Sequence, residues 1–155
     1  MFIAVTYFNI VIMKGKVRKY IIEQPALEPG YDKIFKIIAL YGNIPWAIMG
    51  IGTLLGFTNS MFDYFTPRLL NPFVLLFHAS IIILYIKSIK GMYFGGGAEF
   101  LARHPGIFEQ SGVFKGKKSI SAKGIKIWFG IMLAGGILGM SAMWCLKIPI
   151  DVFTK

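Results

Sequence analysis

Cysteine is almost absent. Cys145 stands alone, which excludes an intrachain disulfide framework and any cysteine-built zinc or iron–sulfur cage. Histidine is nearly as scarce, with only His78 and His104, so little is left for metal chemistry. Acidic residues number 7 against 17 basic ones, and charged residues together make up 15% of the 155. An average soluble domain carries roughly 25%. A chain this poor in charge, 55% hydrophobic and with a mean hydropathy of +0.63, reads neither as a disordered segment nor as an ordinary water-soluble globule.

Uninterrupted apolar sequence is what the chain has in quantity. A spanning helix needs about 20 mainly apolar residues. Residues 37–57, 69–86 and 127–146 each run without a single charge. Three buried core helices of this kind would need a large polar protein around them, and the rest of the chain is too short to supply it. The reading is therefore an all-α integral membrane protein with three transmembrane helices. Its membrane domain covers residues 34–146, with an N-terminal segment 1–33, an inner loop 91–124 and a tail 147–155.

Residues 2–13 form a fourth apolar run, too short as a helix to cross a bilayer of roughly 30 Å. With no basic stretch before it and no small-residue cleavage site after it, it does not read as a signal peptide. Ile3, Val5, Thr6, Tyr7, Ile10, Val11 and Ile12 are β-branched or aromatic, and residues 17–22 follow Lys14-Gly15-Lys16. Two readings stand side by side. One is a β-hairpin about the Lys-Gly-Lys turn that adds strands to a partner's sheet. The other is an apolar anchor lying in the membrane interface.

Lys and Arg counts orient the spans. Six lie between Lys14 and Lys36, one (Arg68) in the first loop, eight between Lys87 and Lys126, and two (Lys147, Lys155) in the tail. This alternation puts the N-terminus inside and the C-terminus outside. It also accounts for the net charge of +10: basic residues beside spans meet anionic headgroups, and no nucleic-acid partner is expected. The expected home is a bacterial or archaeal cytoplasmic membrane or an organelle inner membrane.

Gly52 and Gly56, and Gly135 and Gly139, form GxxxG steps, the spacing that lets helix backbones approach closely in lipid. They read as helix-packing positions. Pro45 breaks the backbone bonding of span one, with Asn43 nearby to satisfy freed groups. Trp128 and Trp144 mark the two ends of span three. His78 is the single side chain within a span that titrates near neutral pH, and such a residue is a functional candidate. It is a possible haem ligand, although His104 lies in a loop and the second axial ligand would have to come from another subunit. The competing reading is a hydrogen bond to a neighbouring helix. Lys87 and Lys90 close span two and read as a possible contact to a quinone carbonyl or a lipid headgroup, or as snorkelling side chains. No catalytic constellation lies within the spans, so the chain does not read as an enzyme acting alone.

Asn71-Pro72 opening an apolar helix that ends in Lys90 and Tyr93-Phe94, then Gly116-Lys117-Lys118 and Ile120 before span three, together with the N-inside layout of three spans, resembles the C-type membrane anchor of fumarate reductase and succinate dehydrogenase. The resemblance covers residues 34–146. It implies an anchor for a flavin and iron–sulfur headpiece, with a quinone site on the inner side. The chain departs from that pattern where the family carries a histidine and a tryptophan near the quinone; Ser88 and Met92 stand there. The connection to span three is also longer here.

The expectation is a non-catalytic small membrane subunit of a larger energy-converting or redox complex. It would anchor other membrane subunits and a soluble headpiece, contact lipids, and line a pocket for quinone or for a haem b shared with a partner. The alternative is a structural accessory subunit with no cofactor, attached to a membrane enzyme, transporter or channel.

Overall fold

The computed structural model describes residues 2–108 and 120–146, and among them every regular element is helical. The order is α1 (Phe2–Glu23), a short 3-10 turn, α2 (Glu28–Tyr41), α3 (Ile44–Leu54), two further 3-10 turns (Met61–Phe65 and Pro67–Leu69), α4 (Pro72–Ile89), a π turn (Lys90–Phe94), α5 (Gly97–Ala102) and α6 (Ala122–Cys145).

The N-terminal hairpin does not form. Its apolar residues and the Lys-Gly-Lys tripeptide lie within one helix, α1. The pattern that decides this is 3.6-periodic: Ile10, Met13, Val17, Tyr20 and Ile21 share a face and pack on Tyr31, Ile34, Phe35 and Ile38 of α2. Burial of that stripe outweighs the local β preference of the branched residues, a preference that is mostly a matter of context. Lys14 reaches Asp32 across the pair at 3.8 Å. Since α1 also touches α3, the apolar first half of α1 lies beside the start of the first long apolar run.

That first run is one helical path, residues Pro25–Leu54, with a break at Gly42-Asn43. Pro45 has no N–H to give to the preceding turn. The Asn43 side chain repairs part of the damage by donating to the Ala39 carbonyl at 2.7 Å. α3 stops at Leu54, earlier than the charge-free run, because Gly56 turns the chain at a φ of +74°.

α4 opens later than expected, because Leu70 adopts φ 53° and Asn71 caps the helix, accepting from the N–H groups of Phe73 and Val74. Pro72 then occupies the first helical position, where no donor is missed. Ser121 caps α6 by accepting from the Gly124 N–H. The path through α2 and α3 runs antiparallel to α4: Gly52 of α3 meets Phe73 at one end and Tyr41 of α2 meets Lys87 at the other. Three helical paths, Pro25–Leu54, Pro72–Phe94 and Ala122–Cys145, are long and apolar enough to cross a membrane. They carry a broad exposed apolar surface, including Leu54, Leu76, Ile83, Ile86, Ile131 and Leu138, of the kind a soluble monomer rarely shows.

Candidate functional site

His78 sits in the middle of α4 and is 1% exposed. Its Nε2 lies 2.9 Å from the backbone carbonyl of Tyr64. A carbonyl only accepts, so Nε2 carries the hydrogen of that bond. Nδ1 is buried without a partner among the described residues. Phe77 and Trp144 meet the imidazole edge-on, at centroid distances of 5.5 and 5.7 Å.

Tyr64, fully buried, donates its hydroxyl to the Met49 carbonyl at 3.1 Å and packs edge-on against Phe77. Thr58 and Thr53 continue the polar line, their hydroxyls 3.0 Å apart. Gly52 leaves the room for this arrangement, since a Cβ there would collide with the Tyr64 hydroxyl and Phe73. On the other side, Arg68 donates Nε to the Trp144 carbonyl at 2.6 Å and Nη2 to the Cys145 carbonyl at 2.7 Å. It thereby satisfies the orphan carbonyls at the C-terminus of α6 with a positive charge. A line of side chains thus ties α3, the 61–69 turns, α4 and α6 together at the end remote from most of the lysines.

This geometry does not fit a haem on His78. An axial imidazole must offer a bare nitrogen to open space. Nε2 is engaged by Tyr64, and Nδ1 is enclosed in a site closed by Phe77 and Trp144. His104 belongs to the other cluster: its Nδ1 donates to the Phe100 carbonyl at 2.7 Å, and its ring meets Tyr31 edge-on. Among the described residues no group of His, Cys, Asp and Glu is placed to hold a metal ion.

At the opposite end, Lys87 lays its ammonium 5.5 Å from the centroid of the Tyr41 ring, while Lys90 is exposed and begins the π turn. The tyrosines that flank them are committed to α6. The Tyr85 hydroxyl fills the space beside Gly136, and Tyr93 donates to the Lys126 carbonyl at 2.9 Å above Gly130. Lys126 itself reaches Glu99 of α5 at 2.7 Å. That hydrogen bond first, then a backbone hydrogen bond, then the charges of Lys126 and Arg103, hold the Glu99 carboxyl below its ordinary value against a smaller opposing desolvation. For a quinone carbonyl, the cationic donors at this end of α4 are Lys87 and Lys90, with the exposed Ser88 hydroxyl between them.

The four glycines expected to pack helices part company. Gly52 packs inside the chain, as described. Gly56 lies beyond the end of α3, so these two never form one helical face, and the step read from their spacing is not made. Gly135 and Gly139 lie on one face of α6 with nothing within 4 Å of a Cβ built on either. Gly130 and Gly136 of α6 instead meet tyrosines, Tyr93 and Tyr85. Sequence reasoning missed Tyr64 and the role of Arg68. A signal was available for the 61–65 turn in Ser60-x-x-Asp63, which forms a capping box, but nothing marked the carbonyls that His78 and Arg68 use. The Gly116-Lys117-Lys118 stretch of the resemblance lies outside the described residues. Compared with protein-family models, with curated proteins and with solved structures, the chain matches none.

Proposed function

We propose that this chain is a non-catalytic small subunit of a larger membrane complex, crossing the bilayer three times with its N-terminal side inside. The observation that carries the reading is α6. It takes tyrosines of its own chain at Gly130 and Gly136, and leaves a face at Gly135 and Gly139 open. Among its residues only Ile125 is buried. Small residues exposed to lipid give a neighbouring helix a close-packed seat, since dispersion and fit drive association where no hydrophobic effect operates. The alternation of basic residues supports the orientation, and the basic inner side suits an acidic soluble partner.

The resemblance to the fumarate reductase and succinate dehydrogenase anchor supports a redox setting, with the headpiece on that inner side. The closed site around His78 favours the form of this reading in which the chain brings no haem ligand of its own and its partners hold any cofactor. The test is purification in a mild detergent, with mass spectrometry of co-purifying chains and a reduced-minus-oxidised spectrum, on the wild type and on His78→Ala. Partner subunits are expected. A b-type band, if the partners carry one, should survive His78→Ala. A band lost in that variant would restore His78 as a ligand, and a chain that purifies alone and stable would end the subunit reading.

A further inference from the structure

The face of α2 turned away from α1 carries a groove of about 460 Å³. Its composition changes along its length. Lys33 and Lys36 stand at one end; Ile37, Leu40 and Tyr41 line the other. The change falls between Lys36 and Ile37, where the charge-free run begins, so the boundary between headgroups and hydrocarbon would cross the groove there. Lys87 of α4 brings a third cation to the deep end, over the Tyr41 ring. Asp32, the acid on the groove's rim, is drawn toward Lys14 on the α1 side. Lys36 makes no ion pair with any described residue.

We infer that this groove is a binding site for one anionic phospholipid of the inner leaflet, its phosphate held by Lys33 and Lys36 and an acyl chain lying along Ile37 and Leu40. The charge pattern carries the assignment. Lys33, whose ammonium lies 5.5 Å from the Phe100 ring centroid, and Lys36 are one helical turn apart, so both can turn to a single phosphate, where an isolated snorkelling lysine would offer one donor group. The apolar half below them, Ile37 and Leu40, has no use for a free phosphate ion. The site needs no partner chain, and it rests on the membrane orientation proposed above.

The experiment uses the full chain, freed of lipid in a neutral detergent and offered phosphatidylglycerol, phosphatidylcholine or glycerol phosphate, with retained lipid counted by native mass spectrometry. Phosphatidylglycerol should be retained over phosphatidylcholine, and Lys33→Gln with Lys36→Gln should weaken retention about tenfold or more, the scale for losing two lysines that face a headgroup. Arg18→Gln with Lys123→Gln makes the same change in net charge away from the groove and should leave retention intact. Equal loss in both pairs would show general charge attraction and overturn the site. Equal binding of phosphatidylcholine would overturn the role of the phosphate, and glycerol phosphate competing as well as lipid would overturn the role of the apolar half. A photoactivatable phosphatidylglycerol reads the wild type directly. Cross-links within residues 29–41 support the proposal, and cross-links confined to other basic segments refute it.

Discussion

Gly30 shows how a single hydrogen atom can decide packing. It lies in the first turns of α2, and a Cβ there would run into the His104 imidazole. The ring has nowhere to go, since Nδ1 is bound to the Phe100 carbonyl, Phe100 lies 4.3 Å away centroid to centroid, and the Tyr31 hydroxyl fixes the next residue through the Pro105 carbonyl at 2.7 Å. In an open helix Gly→Ala gains up to about 1 kcal/mol. Here overpacking, typically about 1–3 kcal/mol, should win, so Gly30→Ala should lower the melting temperature in detergent. His104→Ala on its own removes a well-packed ring and also destabilises. The double variant should be more stable than the sum of the two losses, and a strictly additive result would show that the contact is absent.

Glu99 gives a pH dependence of defined sign. Its carboxyl titrates below its ordinary value of 4.5 because Lys126 binds the charged form. The folded chain therefore binds that proton less readily than the unfolded one. The pair's contribution is complete above the ordinary value and is lost as pH falls through the lower folded one. Both partners are partly exposed, so the effect is small and salt-sensitive. Melting temperatures of wild type and Glu99→Gln should differ at pH 7 and converge below about pH 4.5; a constant gap would mean the carboxylate does not matter. His78, by contrast, was visible in the sequence as a candidate, yet its role was not. Its partner is a backbone carbonyl fourteen residues earlier, and a carbonyl has no residue type to read.

At the scale of elements, what could be read depended on whether a helix continued. The GxxxG rule assumes one helix beneath both glycines. It holds for Gly135 and Gly139 in α6 and fails for Gly52 and Gly56, because the chain leaves α3 at Leu54. α1 misled for the opposite reason: β-branched residues point to a strand, and only the partner stripe on α2 makes their 3.6-residue period decisive. That three long apolar helices exist was legible, since freedom from charge over about 20 residues is a property of the sequence alone, but their ends were not. The two faces of α6 now predict different failures. Gly136→Val should drive a side chain into the Tyr85 ring and destabilise the isolated chain. Gly139→Val meets open space, should leave the stability of the isolated chain within about 0.5 kcal/mol of wild type, and should release co-purifying subunits. If Gly139→Val keeps its partners, the open face is covered by lipid and the complex is held elsewhere.

For the molecule as a whole, orientation is the property on which the rest depends, and the chain carries its own probe. Cys145 is the sole cysteine and is exposed. α6 has 24 residues, about 36 Å of helix at 1.5 Å per residue, enough to separate Cys145 from Ser121 by the roughly 30 Å of hydrocarbon. Arg68 holds the Cys145 end through backbone carbonyls and leaves the thiol free. In intact cells a membrane-impermeant maleimide should label wild-type Cys145 without lysis. In a Cys145→Ser background, Ser121→Cys should be labelled only after lysis. The reverse result would invert the topology and move the basic face outside, and labelling of both without lysis would mean that α6 does not span. A third position, Val5→Cys in the same background, tests α1. Val5 lies half-exposed among Phe8, Val11 and Ile12, on a helix packed antiparallel along α2 with its first turns near α3. If those turns enter the inner half of the bilayer beside the first span, Val5→Cys should resist the water-soluble maleimide even after lysis and accept an apolar thiol reagent. If α1 lies on the surface instead, lysis alone should expose it as fully as Ser121→Cys.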